Sequence, residues 1–316
     1  MKDIKRDSQP QFDMEDARNR RLELRADCER CFGLCCVALP FAQSVDFAID
    51  KAAGQPCPNL REDHRCGIHQ RLRTEGFRGC TVYDCMGAGQ KISQVTYGGR
   101  DWRQHPDTAR PMFDILPIMR QLQEFMWYLT ESLTYTSVHA HAASSGASPD
   151  ITPGITLGEA LHAALARTDK LTMLPPEALL ELDVAAHRAE INELLLQTSR
   201  LVRDEALRTF AIPAKRRKSY GRGADLAGAK LRGTDLRCAN LRGAWLIAAD
   251  LRGADMRYTD LIGADFRDTD IRGADLTTAL FLTQSQLGAA KGDDATRIPS
   301  SLARPSHWLD QATASS

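Results

Sequence analysis

Between Ala224 and Thr283 the chain repeats itself every five residues, and no other feature restricts its fold as much. The residues divide into the pentapeptides ADLAG, AKLRG, TDLRC, ANLRG, AWLIA, ADLRG, ADMRY, TDLIG, ADFRD, TDIRG, ADLTT and ALFLT. The first position is always Ala or Thr and the third always Leu, Met, Phe or Ile, while the second and fourth are mostly charged. A fixed period demands a repeated structural unit. Two inward residues in every five match neither the 3.6-residue period of a helix nor the two-residue period of a flat strand. A square coil with one pentapeptide per side satisfies the pattern.

These A-(D/N)-L-x-x units closely resemble the pentapeptide-repeat family, whose members form a right-handed quadrilateral β-helix with four units per turn. The resemblance implies about three turns over residues 219–283, a rod only about 15 Å long at the usual strand spacing. Stacking every fourth unit would bring Arg232, Arg252 and Arg272 into one ladder beside Lys230, Asp250 and Asp270. Arg237 and Arg257 would stand beside Asp235, Asp255 and Asp275, with Trp245, Ile247, Ile262 and Leu282 as apolar spots elsewhere. An open coil end exposes unpaired edges and core, so residues 284–316 are expected to form a C-terminal cap and tail, with Trp308 packed on it. Cys238, at a fifth position, reads as a lone turn thiol. The resemblance also carries one functional expectation, mimicry of DNA by an acidic rod that occupies a topoisomerase. Here nine Lys/Arg balance nine Asp/Glu between Arg222 and Thr283, and a neutral rod is a poor substitute for a polyphosphate duplex.

Eight of the nine cysteines lie between Cys28 and Cys85, so they act as a local device. The N-terminal residues lack the apolar core of a secretory signal and no apolar run reaches membrane-spanning length, which predicts a soluble, cytoplasmic protein. In a reducing compartment clustered cysteines point to metal ligation rather than disulfides. The spacing Cys28-x-x-Cys31-x-x-x-Cys35-Cys36, followed by Cys57, Cys66, Cys80 and Cys85, lets one loop offer several thiolates while distant chain closes the cage. All eight are candidate ligands for zinc or an iron–sulfur cluster, soft partners of thiolate. Two tetrahedral zinc sites would use every thiol, whereas one cluster would leave some in supporting roles. His64 and His69 are close enough to Cys66 to replace a thiolate, although surface or packing roles are favoured for both.

The same residues resemble the YkgJ-like family of zinc- or iron-chelating domains, through the early cluster with its Cys35-Cys36 pair. The segments around Cys57-Pro-Asn-Leu60, Cys66-Gly-Ile-His69 and Cys80-Thr-Val-Tyr-Asp-Cys85 follow that family's order. The resemblance spans Cys28 to Cys85 and departs from the pattern in the gap before Cys35 and at Gly76-Phe77. Relatives of this cysteine pattern include cluster-containing enzymes such as a flagellin lysine methylase, which implies a redox or modifying activity as an alternative.

Around these two units the composition predicts a charged leader (1–27), a cysteine-rich metal-binding domain (28–110), a helix (111–138) started by Asp114 and Pro117, a flexible linker (139–155) and a helical connector (156–218). His139 and His141 in the linker read as incidental. In the connector, Thr156 and Glu159 form a capping-box pattern for a helix ending near Thr168. Pro175 and Pro176 then open a long helix in which Leu180, Val184, His187, Ile191, Leu194, Thr198 and Leu201 make a heptad-like seam. That seam fits an intramolecular hairpin, with a homodimeric coiled coil left open, and His187 reads as a packing residue. The basic run Lys215 to Lys218 reads as a solvated hinge at the helix end. Gly87-Ala-Gly89 and Gly98-Gly99 read as turns, lacking the context of a phosphate loop.

The expected architecture is therefore multidomain α+β: a cysteine-rich unit, helices and a capped β-helix. Forty-one basic and forty-one acidic residues leave no global field to gather nucleic acid or an anionic membrane. No nucleophile–base set or carboxylate pair can be located, so no catalytic residue is named and a non-enzymatic role is favoured. The sequence points to a metal- or iron–sulfur-binding interaction or scaffold protein that meets a protein partner through its β-helix faces. A cluster-dependent redox or protein-modifying enzyme is the alternative.

Overall fold

The computed structural model describes residues 14–138, 155–210 and 220–309. The linker of 139–155, apart from its last residue, and the Lys215 to Lys218 run lie outside the described residues.

The molecule is organised around one buried helix. Helices α1 (Met14–Glu23), α2 (Leu34–Ala38), α3 (Arg78–Val82) and α4 (Ala88–Gln90) precede α5 (Ala109–Val138), and α4 runs on into a π-helical turn. Met112, Ile115, Leu116, Met119, Leu122 and Leu129 of α5 are all buried, because neighbours pack on several of its sides. Asp114 and Pro117 do not begin this helix. It starts at Ala109, after a 3₁₀ turn at Pro106–Thr108, and Pro117 sits within it. One missing N–H near the start of a thirty-residue helix is outweighed by burial along its length.

Helix α6 (Leu157–Leu171) follows the expected capping box, with the Thr156 hydroxyl accepting from the Glu159 N–H and the Glu159 carboxylate accepting from the Thr156 N–H. The helix read from Pro175 is two helices. A single turn, α7 (Pro176–Leu180), ends at Glu181, and Asp183 then caps α8 (Val184–Thr209) by accepting from the Ala186 N–H at 2.9 Å. Leu180 consequently leaves the seam and is 47% exposed, while Leu179 is buried in its place. Helices α5, α6 and α8 pack together within the chain, so the seam is used intramolecularly. His187 is buried there and lies 3.0 Å from the Thr168 hydroxyl.

The repeats form a β-helix. Parallel bridges join residues twenty apart, from Asp225–Trp245 and Lys230–Asp250 to Asp260–Leu280, with one bridge in each pentapeptide. Among the described residues these remain isolated bridges rather than extended strands, because a turn follows each one. The third-position side chains from Leu231 to Leu276 and the first-position alanines from Ala239 onward are buried. Thr substitutes for Ala inside because its hydroxyl finds a carbonyl on another turn: Thr259 donates to Leu236 O and Thr269 to Leu246 O, both at 2.7 Å. From Gly228 to Gly273 the fifth position has positive φ, which explains its glycines and strains Cys238, Ala248, Tyr258 and Asp268, at φ 55–58°.

The outward ladders form as expected. Arg252 grips Asp250 through Nε and Nη2 at 2.8 and 2.6 Å and also faces Asp270 at 3.7 Å, and Arg257 repeats this with Asp255 and Asp275. The tail does more than cover the end. After helix α9 (Gln284–Ala289), Lys291 bridges to Asp270 and Arg297 to Asp275, adding a partial rung, while Trp308 is buried and donates to Ala290 O.

The units are less separate than composition suggests. One apolar core runs from Leu24, Leu34 and Ile92 through α5 into the β-helix interior. Helix α8 lies against one coil face, where Arg242 pairs with Asp260 at 3.3 Å with both almost fully buried, and Arg242 also donates to Asn192. Cys238 is buried in that contact beside Ala206 and Phe210, so the turn thiol is an interface residue.

Candidate metal centre

The cysteine unit is a small body with little aliphatic core. Phe41, Cys57, Leu72 and Phe77 form a small buried cluster of its own, packed by Phe47, Leu60 and the cysteines Cys36, Cys66 and Cys80. Helix α2 presents Cys35 and Cys36, α3 presents Cys80, and turns carry the rest. Distant chain is pinned to α2 by the Cys57 N–H donating to Cys36 O at 2.9 Å, and the Leu60–Cys66 bridge turns Cys66 back toward the group.

All eight predicted cysteines come together, with Cys35 at the centre. It is an electrostatic neighbour of Cys28, Cys31, Cys66, Cys80 and Cys85, and it is hydrogen-bonded to Cys36. Cys57 joins through its interaction with Cys66 and Cys80. Desolvation, then the neighbouring thiols, pushes Cys28 up to about 11; desolvation pushes Cys31 and Cys80 up to about 12. The hydrogen bond that the Cys35 thiol makes to Cys36, then burial, holds Cys35 well above the ordinary thiol range. These thiols are thus crowded and protonated, a state that a cation relieves by replacing the protons. Among the described residues no three His, Cys, Asp or Glu side chains are closed into a coordination sphere, and no cysteine is in a disulfide.

Backbone donors partly oppose this rise. Backbone N–H groups are aimed at sulfur, from Leu34 to Cys31, from Ile68 to Cys66, and from Gly87 and Gly89 to Cys85. Such donors stabilise the anionic form that binds metal. Gly89 also makes space: a Cβ there would lie 2.6 Å from the Cys31 sulfur. Of the glycines read as turns, Gly87 and Gly89 therefore also line the cysteine group. The donor set, N–H groups and cleared space fit zinc or an iron–sulfur cluster.

Lys51 is a member that sequence reasoning missed. It is buried, donates to the carbonyls of Val37, Ala52 and Gln55 at 2.9–3.2 Å, and lies 4.8 Å from the centre of the Phe41 ring. Desolvation lowers its pKa, while Cys57, Cys36, Cys35 and Cys80 hold its charge in place. A lysine in a loop carries no local signal of burial, so only the folded chain reveals it. His69 is exposed at the rim of the cleft.

Two clefts reach the cysteines. The larger, about 690 Å³, is lined by Cys28, Cys31, Cys35 and Cys66 with His64. The other, about 470 Å³, lies between Cys35, Cys36 and Cys80 and the residues Tyr83, Arg120 and Arg267, where α5 and the β-helix come close. The cysteine unit is docked to the cap: Arg73 donates to Gly288 O at 2.8 Å, Arg78 pairs with Asp268 at 3.0 Å, and α3 packs on α9.

Among known proteins, the family described as pentapeptide repeats matches residues 222–253 and 246–281, in eight copies. A crystal structure of a pentapeptide repeat protein from the Arabidopsis thaliana thylakoid lumen is 23% identical, covering 28% of this chain and 59% of that one at a TM-score of 0.20. The uncharacterized protein YybG of Bacillus subtilis (strain 168) is 55% identical over 294 residues, 92% of this chain and 96% of YybG. The likeness to YybG thus takes in the cysteine unit and the helices as well as the repeats, and the chain belongs to the YybG family of pentapeptide-repeat proteins.

Proposed function

We propose that this protein carries a thiolate-bound metal centre, zinc or an iron–sulfur cluster, seated at the capped end of a scaffold built for contact with another protein. The observation that carries this reading is the convergence of Cys28, Cys31, Cys66, Cys80 and Cys85 on Cys35, with N–H donors and Lys51 supplying the positive field that thiolates need. The resemblance of the cysteine order to YkgJ-like chelating domains supports it. Bound there, the ion would staple a unit whose own core is small.

The scaffold role follows from the repeats, read as a right-handed quadrilateral coil with four pentapeptides per turn. Helices and the cysteine unit cover part of its surface, and what is left presents Arg–Asp pairs and the exposed Trp245. Pairing of Arg252 with Asp250 and Arg257 with Asp255 neutralises the acidic column, which counts against DNA mimicry and against direct nucleic-acid contact. No described helix is long and apolar enough to cross a membrane.

A second reading has its own observation. The cleft between Cys35, Cys36, Cys80, Tyr83 and Arg267 opens beside the candidate centre, with the half-buried Asp84 raised by desolvation. A cluster-dependent enzyme would place its substrate there. Anaerobic purification of the full chain, with iron, sulfide and zinc analysis and a visible spectrum, tests both. Stoichiometric metal supports the centre, a brown protein with sulfide favours the enzyme, colourless zinc favours the scaffold, and freely reactive thiols without metal would overturn both.

A further inference from the structure

We propose that His64 is a nitrogen ligand of the same centre, binding through Nδ1 and aimed by Asp101. This assignment rests on the metal-binding reading above. The side chains of His64 and Asp101 are 12% and 15% exposed, and Nε2 lies 2.9 Å from the Asp101 Oδ2. A carboxylate only accepts hydrogen bonds, so in the neutral ring Nε2 carries the hydrogen and Nδ1 keeps its lone pair. That Nδ1 is buried and has no hydrogen-bond partner, although His64 lines one cleft with Cys28, Cys31, Cys35 and Cys66. A buried acceptor without a donor is destabilising. A soft cation beside it resolves the deficit, and metal-bound histidines characteristically donate their other N–H to a carboxylate.

The backbone and the ring are held independently of that hydrogen bond. His64 has φ 63°, a left-handed conformation unfavourable for a residue with a Cβ, and its N–H donates to Arg61 O at 3.1 Å. Gly33 lets the chain close on it, since a Cβ there would lie 3.0 Å from His64 O. Phe32 and Trp102 enclose the ring with centroids at 5.5 and 5.9 Å, and Trp102 donates to Phe32 O at 2.8 Å. The second oxygen of Asp101 accepts from the Arg103 N–H at 2.8 Å, which fixes the carboxylate as well. A strained backbone, an aromatic enclosure and an anchored carboxylate all orient the imidazole of a residue that lines one cleft with four cysteines. Neither a surface histidine nor a simple packing residue requires that arrangement.

The experiment uses the full chain grown with isotope-labelled histidine and purified anaerobically. Pulsed electron paramagnetic resonance is recorded on the reduced protein if it holds an iron–sulfur cluster, and on cobalt(II)-exchanged protein if it holds zinc. We expect a histidine-nitrogen coupling in the wild type that disappears in His64→Ala. His64→Cys should keep the metal and move the spectrum toward all-thiolate ligation, and Asp101→Asn should weaken metal retention by about ten- to a hundredfold. Wild-type protein that holds metal without such a coupling, or a coupling that survives His64→Ala, overturns the assignment and leaves the cysteine centre intact. Wild-type protein that binds neither iron nor cobalt overturns both.

Discussion

Glu131 of α5 accepts a hydrogen bond from the Phe281 N–H at 2.9 Å, joining the central helix to the last pentapeptide of the coil. The same oxygen accepts from the Tyr135 hydroxyl at 2.8 Å. The tie holds a residue of positive φ, 59°, at the point where the coil gives way to its cap.

Burial raises Glu131 to about 7 from 4.5, opposed by its bonds to Phe281 and Tyr135 and by Arg21, and reinforced by Asp260. The folded state therefore holds a proton that the unfolded chain releases. The stability this contributes is fully present below about pH 4.5 and is lost as pH rises through about 7. Glu131→Gln retains an acceptor for Phe281 without the charge. It should be neutral in acid and more stable than wild type at pH 8, by on the order of 2 kcal/mol. Thermal unfolding across this range is the measurement, and parallel pH profiles for the two proteins would rule the idea out.

Cys35→Ser should remove more metal than any other single substitution in the cluster, because Cys35 interacts with more of the other thiols than any of them does. Cys36→Ser should also lower occupancy, whereas Cys238→Ser should leave metal unchanged and affect only the α8 contact. Metal content per chain decides this. Equal metal in wild type and Cys35→Ser would exclude Cys35 as a ligand.

Lys51→Met removes the cation beside four thiols and strands three carbonyls that its ammonium satisfies. Loss of such a charged donor should destabilise the unit by about 2 kcal/mol. Metal should pass to a competing chelator at a lower chelator concentration. Unaltered competition would mean that Lys51 is structural only.

Leu251→Asp places a carboxylate in a fully buried position of the coil. Without a partner it should cost more than about 3 kcal/mol and abolish the cooperative transition of the repeats. Circular dichroism and the melting profile test it, and an unchanged melt would show that Leu251 faces solvent. By contrast, Thr269→Ala should cost only about 1 kcal/mol, since Ala fills this position elsewhere and only the bond to Leu246 O is lost.

The repeats were legible because their constraint is local. Each Ala or Thr and each Leu, Met, Phe or Ile faces the interior of the same small unit, so the period alone assigns inside and outside, and the Arg–Asp ladders follow from it. The gathering of the cysteines was legible for a similar reason, since eight of them lie close together in sequence between Cys28 and Cys85. The α7–α8 break was harder to see, because Leu180 continues a plausible seam and only the Asp183 cap, acting with tertiary packing, displaces it. Asp114 and Pro117 misled for the complementary reason: a local start signal was overridden by burial along α5.

Other relationships belong to the folded chain. Lys51 near four thiols, Asp101 behind His64 and Glu131 at Phe281 join residues far apart in sequence, through buried electrostatics that have no period and no motif. By itself, the sequence determined that a five-residue coil and a thiol-rich unit would exist, since each is specified by contacts repeated or clustered along the chain. Tertiary structure decided that Cys35 is the centre, that α8 and the cap bind these parts into a continuous core, and which lone charges are buried, because desolvation depends on everything packed around a group.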